Sequence, residues 1–550
     1  MRSKSTALTG LRISVVLALA SVTLGRGGEV GRPVRVTATV FGGAKQVSGS
    51  LTVLDMGSAK WAIDCGAQYP EGADEERQAQ AERRSAGLPV AARSLDAVFV
   101  THAHLDHIGR LPLLVQQGFS GPIYVTEATR ELAPVMLEME VRYDRGRVRD
   151  WVWSKESSER AQASQRRLTV HWRTGCEYRQ KIKPSNLQSA SGSLAELAAR
   201  LDDSELSTCR SCVADEVATV MALCRAVKFA TPVDVARGTT VTFLEAGHIP
   251  GSASILWRID VGGKPRRILF SGDVGSSLSG LVPAAQSAPD VDVVFVETTY
   301  GAVHREPNAN TERARFRQEV ADVVKRGGVA WIPAFALDRT QKILHELRLA
   351  QQAGQLPTDV PILCPSPTAR EITSLYRQHQ HDGWFRDAVA RDDAALQPAG
   401  LREGTRLPKQ LPRPCVLITT SGMMDRASSA DLTEALMPQE STAVFLVSYQ
   451  DPVSTGGWLK EGRRSIRVNG RDVVVRATVH SYSCFSAHAD GSDLDQWLSQ
   501  INRQAQVVLV HGEPAQTEAR TSQMKAAGWK HVLAAEEGIP IEMQDSAVRK

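Results

Sequence analysis

One short segment of the 550-residue chain concentrates side chains that bind metal ions. Residues 101–107 read Thr-His-Ala-His-Leu-Asp-His, so three histidines and one aspartate stand within six positions. In an extended chain His102 and His104 project to the same side. Asp106 and His107 begin the following turn, where they can face a neighbouring ion. The alternative is a polar loop whose histidines only cap the following helix. Four ligand-type residues within six positions predict a metal site instead.

Further ligand-type or acidic residues follow short apolar runs that read as strands. One such run, Ala97–Val100, leads directly into the histidine segment. Four later runs precede His248, Asp273, Glu297 and His511. Strand ends that share one edge of a sheet bring their side chains together, as in many α/β binding sites. The sequence therefore predicts a sheet edge lined with reactive groups.

Composition sets broad limits on the class of protein. A hydrophobic content of 42% in a chain of this length supports a sizeable core, in several domains or one large sandwich. Charge does not identify a nucleic-acid binder, because 65 basic against 61 acidic residues leave a surplus of only four. The eight cysteines are widely spaced, unlike those of a small disulfide scaffold, which favours a reducing compartment.

The N-terminal residues 1–33 predict an extension or a signal segment. Basic residues precede an apolar run at Ile13–Leu24, which is the layout of a secretory signal but is too short to span a bilayer. A disordered extension or a start codon placed too early explains the same residues. We expect a cytoplasmic location, with a secreted or periplasmic one as the alternative, and no stable membrane partner.

The histidine segment and several other motifs resemble the metallo-β-lactamase superfamily. Its further motifs in this chain are Ile63–Gly66, Ala246–His248 and Ser271–Asp273. Additional segments are similar to diagnostic ones of the β-CASP nuclease subgroup: Glu297–Gly301, Ile332–Ala336, Ser486–Asp490 and Val510–Glu513. The resemblance implies an α/β fold, an αββα sandwich with an inserted β-CASP α/β cap domain. It places the active site in the cleft between them.

The pattern of apolar runs suggests where the domains begin and end. Between residues 300 and 483 helices alternate with short apolar strands, which predicts the cap domain. The sandwich is expected at 34–299 and 484–550, so the cap interrupts it. A stretch at about 142–214 is irregular and rich in Arg, Trp and Ser, and it predicts an insertion in the first part of the sandwich.

Carried over residue by residue, the resemblance implies two zinc ions. One would be held by His102, His104 and His248, the other by Asp106, His107 and His511, with Asp273 bridging both. Two zinc ions about 3.5–4 Å apart can share a hydroxide and stabilise the attacking and leaving oxygens of a phosphodiester. Asp64 would orient a ligand imidazole, and Asp64 and Asp106 are therefore counted among the catalytic residues. A turn cap is the alternative for Asp64.

Two residues are expected to act without binding metal. His488 would approach the scissile phosphate or protonate the leaving oxygen, and Glu297 would hold it charged and oriented. A helix cap and a surface acid are the alternatives. Arg339 could offer a guanidinium fork to phosphate or be a solvated charge at a helix start. The stretch Ser421-Gly422 resembles a loop facing the cleft, or it is an ordinary turn.

The chain departs from the family pattern in the cap. Asp338 stands where a glycine is usual, and Val447–Gln450 with Asp451-Pro452 replaces a more glycine-rich segment. These differences bear on substrate contacts more than on metal binding. In the insertion, interleaved Arg and Trp residues could stack bases and neutralise phosphate, although a solvated loop is the simpler interpretation. Cysteines there leave a weak hypothesis of a structural zinc knuckle, formed by His171, Cys176, Cys209 and Cys212.

Three functions fit these observations. The first is a zinc-dependent phosphodiesterase that cleaves RNA, single-stranded by preference, as an endonuclease or a 5′ exonuclease; a DNA-acting β-CASP nuclease is its close alternative. The second is a metallohydrolase of small esters or thioesters, against which the cap, Glu297 and His488 argue. The third is a non-catalytic scaffold, which predicts lost ligands. All seven ligand-type residues are present, which argues against the scaffold. The resemblance implies RNA as the partner, and a homodimer stays open.

Overall fold

The computed structural model describes residues 36–69, 87–153, 210–261, 264–277, 280–305, 309–404, 406–424, 427–468 and 470–543. The strands of the sandwich before the cap are β1 (Thr37–Gly42), β2 (Leu51–Asp55), β3 (Lys60–Ile63), β4 (Ala97–Phe99), β5 (Ile123–Thr126), β6 (Cys224–Val227), β7 (Val233–Ala236), β8 (Thr239–Glu245), β9 (Ala253–Val261), β10 (Lys264–Phe270) and β11 (Val293–Glu297). The later strands are β12 (Val329–Ala334), β13 (Ile362–Cys364), β14 (Leu401–Glu403), β15 (Cys415–Thr420), β16 (Thr442–Leu446), β17 (Ser465–Val468), β18 (Arg471–Val474), β19 (Thr478–Ser481), β20 (Gln506–Val510), β21 (Val532–Ala534) and β22 (Pro540–Glu542).

The helices lie between these strands, and a 3-10 turn spans Ala92–Ser94. They are α1 (Leu105–Ile108), α2 (Leu111–Gln116), α3 (Glu127–Trp153), α4 (Arg210–Leu223), α5 (Ala309–Lys325), α6 (Arg339–Gln352), α7 (Pro367–Gln378), α8 (Asp387–Ala390), α9 (Ala427–Leu436), α10 (Thr455–Lys460), α11 (Gly491–Leu498) and α12 (Pro514–Ala526).

Two seven-stranded sheets pack face to face. Their strand orders are β22-β1-β2-β3-β4-β5-β6 and β21-β20-β11-β10-β9-β8-β7. Large apolar side chains from both sheets fill the space between them, and the rings of Trp61 and Trp257 lie 4.9 Å apart. Separate apolar clusters bury the outer faces against helices. This confirms the predicted αββα sandwich.

The cap is built on a six-stranded parallel sheet in the order β14-β13-β15-β12-β16-β19. Its strands are short and apolar on both faces, as expected for a parallel sheet covered by helices. The chain leaves the sandwich after β11 and returns to it at β20, which pairs with β11. The cap is therefore inserted into the sandwich. Helix α7 of the cap packs against α3 of the sandwich.

The prediction of an irregular stretch over 142–214 was wrong at both ends. The backbone is helical to Trp153 in α3 and again from Arg210 in α4. Buried side chains at helical spacing, including Leu132 and Met136, anchor α3, and a helix once nucleated extends at little further cost. Residues 154–209 lie outside the described ones, as do residues 1–33, so the zinc-knuckle and signal hypotheses are not addressed. Among the helices that the structure describes, none combines the length and apolar character needed to cross a membrane.

Candidate metal centre

The predicted ligand residues come from strand ends of both sheets. The histidine segment follows β4 of the first sheet. His248, Asp273 and His511 follow β8, β10 and β20 of the second. Strands β10, β11 and β20 are parallel neighbours, so their carboxyl ends meet at one edge. The predicted reactive edge therefore exists, and the packing of the two sheets brings β4 to it.

A first cluster contains His102, His104, His248 and Asp273. Nδ1 of His104 lies 3.0 Å from Nε2 of His102 and 3.1 Å from Nε2 of His248. Oδ2 of Asp273 lies 3.5 Å from Nε2 of both His102 and His248. The potential ligand atoms all lie within 4.8 Å of one another, which is the arrangement of a metal site.

A second cluster contains Asp106, His107, His511 and again Asp273. The other carboxylate oxygen of Asp273, Oδ1, lies 3.3 Å from Nε2 of His107. Oδ2 of Asp106 lies 3.5 Å from Nε2 of His511. The two oxygens of Asp273 thus face different clusters, and this residue joins them.

The donor atoms fit a divalent metal ion. Among the residues that the structure describes, no hydrogen-bond partner is found for four buried atoms: Nε2 of His107, Nε2 of His511 and both carboxylate oxygens of Asp273. Buried polar atoms in that condition are costly unless something else satisfies them. Burial lowers the pKa of His102 well below its usual value, which leaves the neutral imidazole that metals bind. For Asp273 burial acts to raise the pKa, but neighbouring imidazoles outweigh it and hold that pKa well below its usual range.

Asp64 lies directly behind the second cluster. Nδ1 of His107 donates to Oδ2 of Asp64 at 2.7 Å, which leaves Nε2 of His107 facing Asp273. The same carboxylate accepts the backbone N–H and the hydroxyl of Thr101, at 2.7 and 2.8 Å. Asp64 adopts a left-handed backbone with φ of 61°, a strained conformation that is common at functional sites. Gly66 is required nearby, because a Cβ there would lie 1.5 Å from the carbonyl oxygen of Asp106.

His488 and Glu297 form a pair beside the first cluster. Nδ1 of His488 lies 3.1 Å from Oε1 of Glu297, and the two rings of His488 and His248 are 4.5 Å apart. Glu297 is fully buried, and its carboxylate also accepts the N–H groups of Val274 and Thr299. The carboxylate therefore has a fixed position, while the His488 side chain keeps 22% of its surface exposed. The imidazole can reach a substrate in the cleft.

The sequence assigned no role to two residues that contact histidines of the site. Arg305 donates through a guanidinium N–H to the carbonyl oxygen of His488 at 3.0 Å, and its guanidinium lies 4.5 Å over the ring of Tyr300. Thr299 places its hydroxyl 3.0 Å from Nδ1 of His511. Thr299 and Tyr300 stood within a recognised motif, whereas Arg305 carried no local signal. These contacts join segments that are far apart in the sequence.

The proposed substrate residues lie on the cap side of the cleft. Arg339 begins α6, and its guanidinium donates to the carbonyl oxygen of Val447. Its Nε has no hydrogen-bond partner in the part of the chain that the structure describes. Ser421 and Gly422 follow β15, and Ser421 has a left-handed φ of 90°. No ligand contact is implied by these positions alone, but a guanidinium carries five N–H bonds and is the group that suits phosphate.

Three family models match successive parts of the chain. The description "Metallo-beta-lactamase superfamily" matches residues 63–176, "Beta-Casp domain" matches 340–459, and "Zn-dependent metallo-hydrolase RNA specificity domain" matches 472–534. Residues 63–176 therefore match the metallo-β-lactamase superfamily, and residues 340–459, within the inserted domain, match the β-CASP domain. The resemblance read from the motifs is thereby confirmed.

Three named relatives each align with most of this chain. A Thermus thermophilus protein named Ribonuclease TTHA0252 is 28% identical over 511 residues, which cover 91% of this chain and 99% of the relative. The Transcription termination factor FttA of Methanosarcina mazei is 26% identical, covering 87% of this chain and 67% of its own. An RNase J-like protein of Methanocaldococcus jannaschii is 24% identical, covering 86% and 92%.

A half-buried carboxyl near the first cluster, that of Glu245, gives a pH prediction. Burial raises the pKa of Glu245 to about 7, although its carboxylate accepts the N–H of Gly247. Between pH 4.5 and 7 the folded chain then holds a proton that the unfolded chain releases, so the free energy of unfolding falls as pH rises. Glutamine cannot ionise, so Glu245→Gln should remove this loss. The free energy of unfolding of the variant, relative to that of the unmodified chain, should therefore increase by about 1–2 kcal/mol from pH 5 to pH 8. Urea unfolding at pH 5 and pH 8, in the presence of a chelator, measures this difference. The same difference in stability at both pH values would contradict the raised pKa of Glu245.

Proposed function

We propose that this chain is a zinc-dependent phosphodiesterase that cleaves RNA. The observation that carries the proposal is the pair of ligand clusters joined through the carboxylate of Asp273. On one side of Asp273 lie three histidines, and on the other side lie two histidines and an aspartate. These side chains suit two zinc ions. When bound, such a pair of ions supplies an acidified water molecule and positive charge for both the attacking and the leaving oxygen.

RNA is favoured as the substrate by what the relatives are named for. Two of them are called ribonucleases or RNase J-like, and the model matching residues 472–534 is described as an RNA specificity domain. The charge balance of the chain gives no comparable argument. We propose single-stranded RNA, cut internally or trimmed from its 5′ end, since both reactions need the same groups. An RNA substrate also favours the cytoplasm over export.

The chain's own residues would position and protonate the substrate. Nδ1 of His488 is engaged with Glu297, so Nε2 is the atom available to the leaving oxygen. The Glu297 carboxylate stabilises the protonated imidazole, as a positioned acid does for a general acid histidine. Asp64 fixes the ring of His107, and Asp106 and His511 lie on the same side of the centre. Arg339 would bind a phosphate through its guanidinium, and Ser421 and Gly422, which follow β15, would contact the substrate as well.

The proposal is tested by incubating zinc-loaded protein with labelled single-stranded RNA, single-stranded DNA and a model thioester. RNA should be hydrolysed and the other two substrates much less. Faster hydrolysis of DNA would support a DNA-acting nuclease instead, and faster hydrolysis of the thioester would support a metallohydrolase of small esters or thioesters. Retained metal with no hydrolysis of any substrate would support a scaffold. The products of an end-labelled RNA distinguish internal cleavage from 5′ trimming.

Replacing His488 with alanine separates protonation from metal binding. The variant should hold as much zinc as the unmodified chain. Its kcat should fall about 10²–10⁴-fold, because the imidazole that gives a proton to the leaving oxygen has been removed. His381→Ala is a matched control, since its side chain is 65% exposed in the cap beside Asp393. It should leave both zinc content and kcat unchanged. Loss of zinc from His488→Ala would instead make this histidine a ligand.

A further inference from the structure

Two large aromatic side chains remain exposed on the cap. Phe335 is 39% and Tyr449 41% exposed, whereas most of the large apolar residues in the cap strands are buried. In the described part of the chain, the remaining large hydrophobic residues with such exposure are aliphatic: Val453, Val474 and Ile539. Exposing an aromatic ring forfeits the free energy of its burial, so two rings on one edge point to a binding surface.

The topology of the cap sheet places the two rings on the same edge. Strand β12 pairs with both β15 and β16, and all three strands are parallel. Phe335 follows β12, Gly422 follows β15 and Tyr449 follows β16, so they lie at neighbouring carboxyl ends. Ligands of parallel sheets bind at that end. A Cβ on Gly422 would lie 3.3 Å from the Phe335 ring and 2.8 Å from Oγ of Ser448, so the edge is tightly packed.

This edge borders the metal centre. The hydroxyl of Tyr449 donates to Oε1 of Glu513 at 3.0 Å, and Glu513 follows the ligand residue His511 by two positions. Tyr449 therefore spans from the cap to the sandwich. Arg339, at the start of α6, donates to the carbonyl oxygen of Val447, two residues before Tyr449, so its guanidinium lies near the same edge. The edge that carries the two rings is thus connected both to Arg339 and to the segment that carries His511.

We propose that Phe335 and Tyr449 form a stacking subsite for the bases of single-stranded RNA beside the scissile phosphate. This inference rests on the proposed function and adds a binding site to it. Aromatic rings stack on any base, so binding at this subsite should not depend on the RNA sequence. Bases that are paired in a duplex cannot reach the rings, so the subsite should prefer single strands. The hydrogen bond to Glu513 holds the Tyr449 ring in place, which reduces the entropy lost when a base binds.

The test compares a normal RNA strand with a strand of abasic nucleotides of equal length. Both are titrated into zinc-loaded full-length protein carrying His488→Ala, so that neither is consumed. Adding Phe335→Ala or Tyr449→Ala should weaken binding of normal RNA by about 5- to 100-fold and leave binding of the abasic strand unchanged. Phe335→Trp should retain affinity, because it keeps a stacking surface. Ile539→Ala, which removes an exposed aliphatic side chain, is the control and should change neither titration.

Two results would overturn the inference. Equal losses for normal and abasic strands would mean that the rings only support the shape of the cleft. Unchanged RNA affinity with altered self-association would mean that they cover a contact between copies of the chain. Cleavage of RNA by the unmodified protein is measured in parallel, so that failure of the stacking subsite can be told apart from failure of the proposed function. Cleavage without any role for the rings defeats the subsite alone, whereas absence of both RNA binding and cleavage defeats the proposed function as well.

Discussion

Replacing Asp273 with alanine is expected to abolish both metal binding and hydrolysis. Bound zinc should fall from about two ions per chain to less than one, and kcat by about 10³-fold or more, since a metal pair supplies several kcal/mol of stabilisation. The reason is geometric: Oδ1 of Asp273 lies 3.3 Å from Nε2 of His107, and Oδ2 lies 3.5 Å from Nε2 of His102. One side chain serves both clusters. Elemental analysis after dialysis and steady-state kinetics on RNA measure the two effects.

A matched control for this change is Asp234→Asn. Asp234 is an exposed residue on β7, the far edge strand of the same sheet, and its replacement should alter neither zinc content nor kcat. Unmodified protein treated with a chelator should behave like Asp273→Ala and recover on addition of zinc, whereas the variant should not recover. An Asp273→Ala protein that keeps two ions would refute the shared role of this carboxylate.

Replacing Lys342 with methionine should lower the free energy of unfolding by about 3–5 kcal/mol. Lys342 and Asp338 are both buried, with Nζ of the lysine 2.6 Å from Oδ2 of the aspartate. Burial lowers the pKa of Lys342 to about 8, although Asp338 opposes the shift. Removing the lysine leaves the carboxylate buried without its cation, which costs more than the pair itself contributes. Denaturant unfolding measures the loss.

The double variant Asp338→Gly with Lys342→Met tests the cause. It should recover most of the stability, because no charge stays buried and because Asp338 has a left-handed φ of 67°, which glycine adopts without strain. Lys460→Met, on a cap helix with an exposed side chain, is the control and should change stability by less than about 0.5 kcal/mol. A double variant as unstable as Lys342→Met would show that lost packing, not the unpaired charge, is responsible.

The Asp338–Lys342 pair also explains one departure from the family pattern. The sequence showed an aspartate where a glycine is usual and suggested an effect on substrate contacts. In the structure the carboxylate turns inward to Lys342, one helical turn along α6, rather than toward the cleft. The adjacent Arg339 keeps its own tether to Val447. The substitution is therefore compensated inside the cap, while the neighbouring guanidinium still borders the cleft.

Much of the fold and of the ligand set is determined by local sequence. Apolar runs of strand length identify β4, β8, β10, β11 and β20, because burial of a strand requires its own side chains to be apolar. Metal-type residues directly after those runs predicted the reactive edge, since only imidazole, carboxylate and thiolate side chains bind such ions well. The αββα sandwich was implied by the resemblance to the metallo-β-lactamase superfamily, and the interruption by a second domain followed from the positions of His488 and His511 beyond it.

Only the tertiary structure decided which distant residues meet. Glu297 and His488 are separated by 191 positions, and Tyr449 and Glu513 by 64, yet each pair is in hydrogen-bond contact. Nothing local marks Arg305, or the exposure of Phe335. The ends of the predicted insertion were misjudged for a related reason, because α3 is anchored by packing against other elements. Periodicity reports what a residue's own strand or helix needs, whereas contacts across the cleft depend on how complete domains pack.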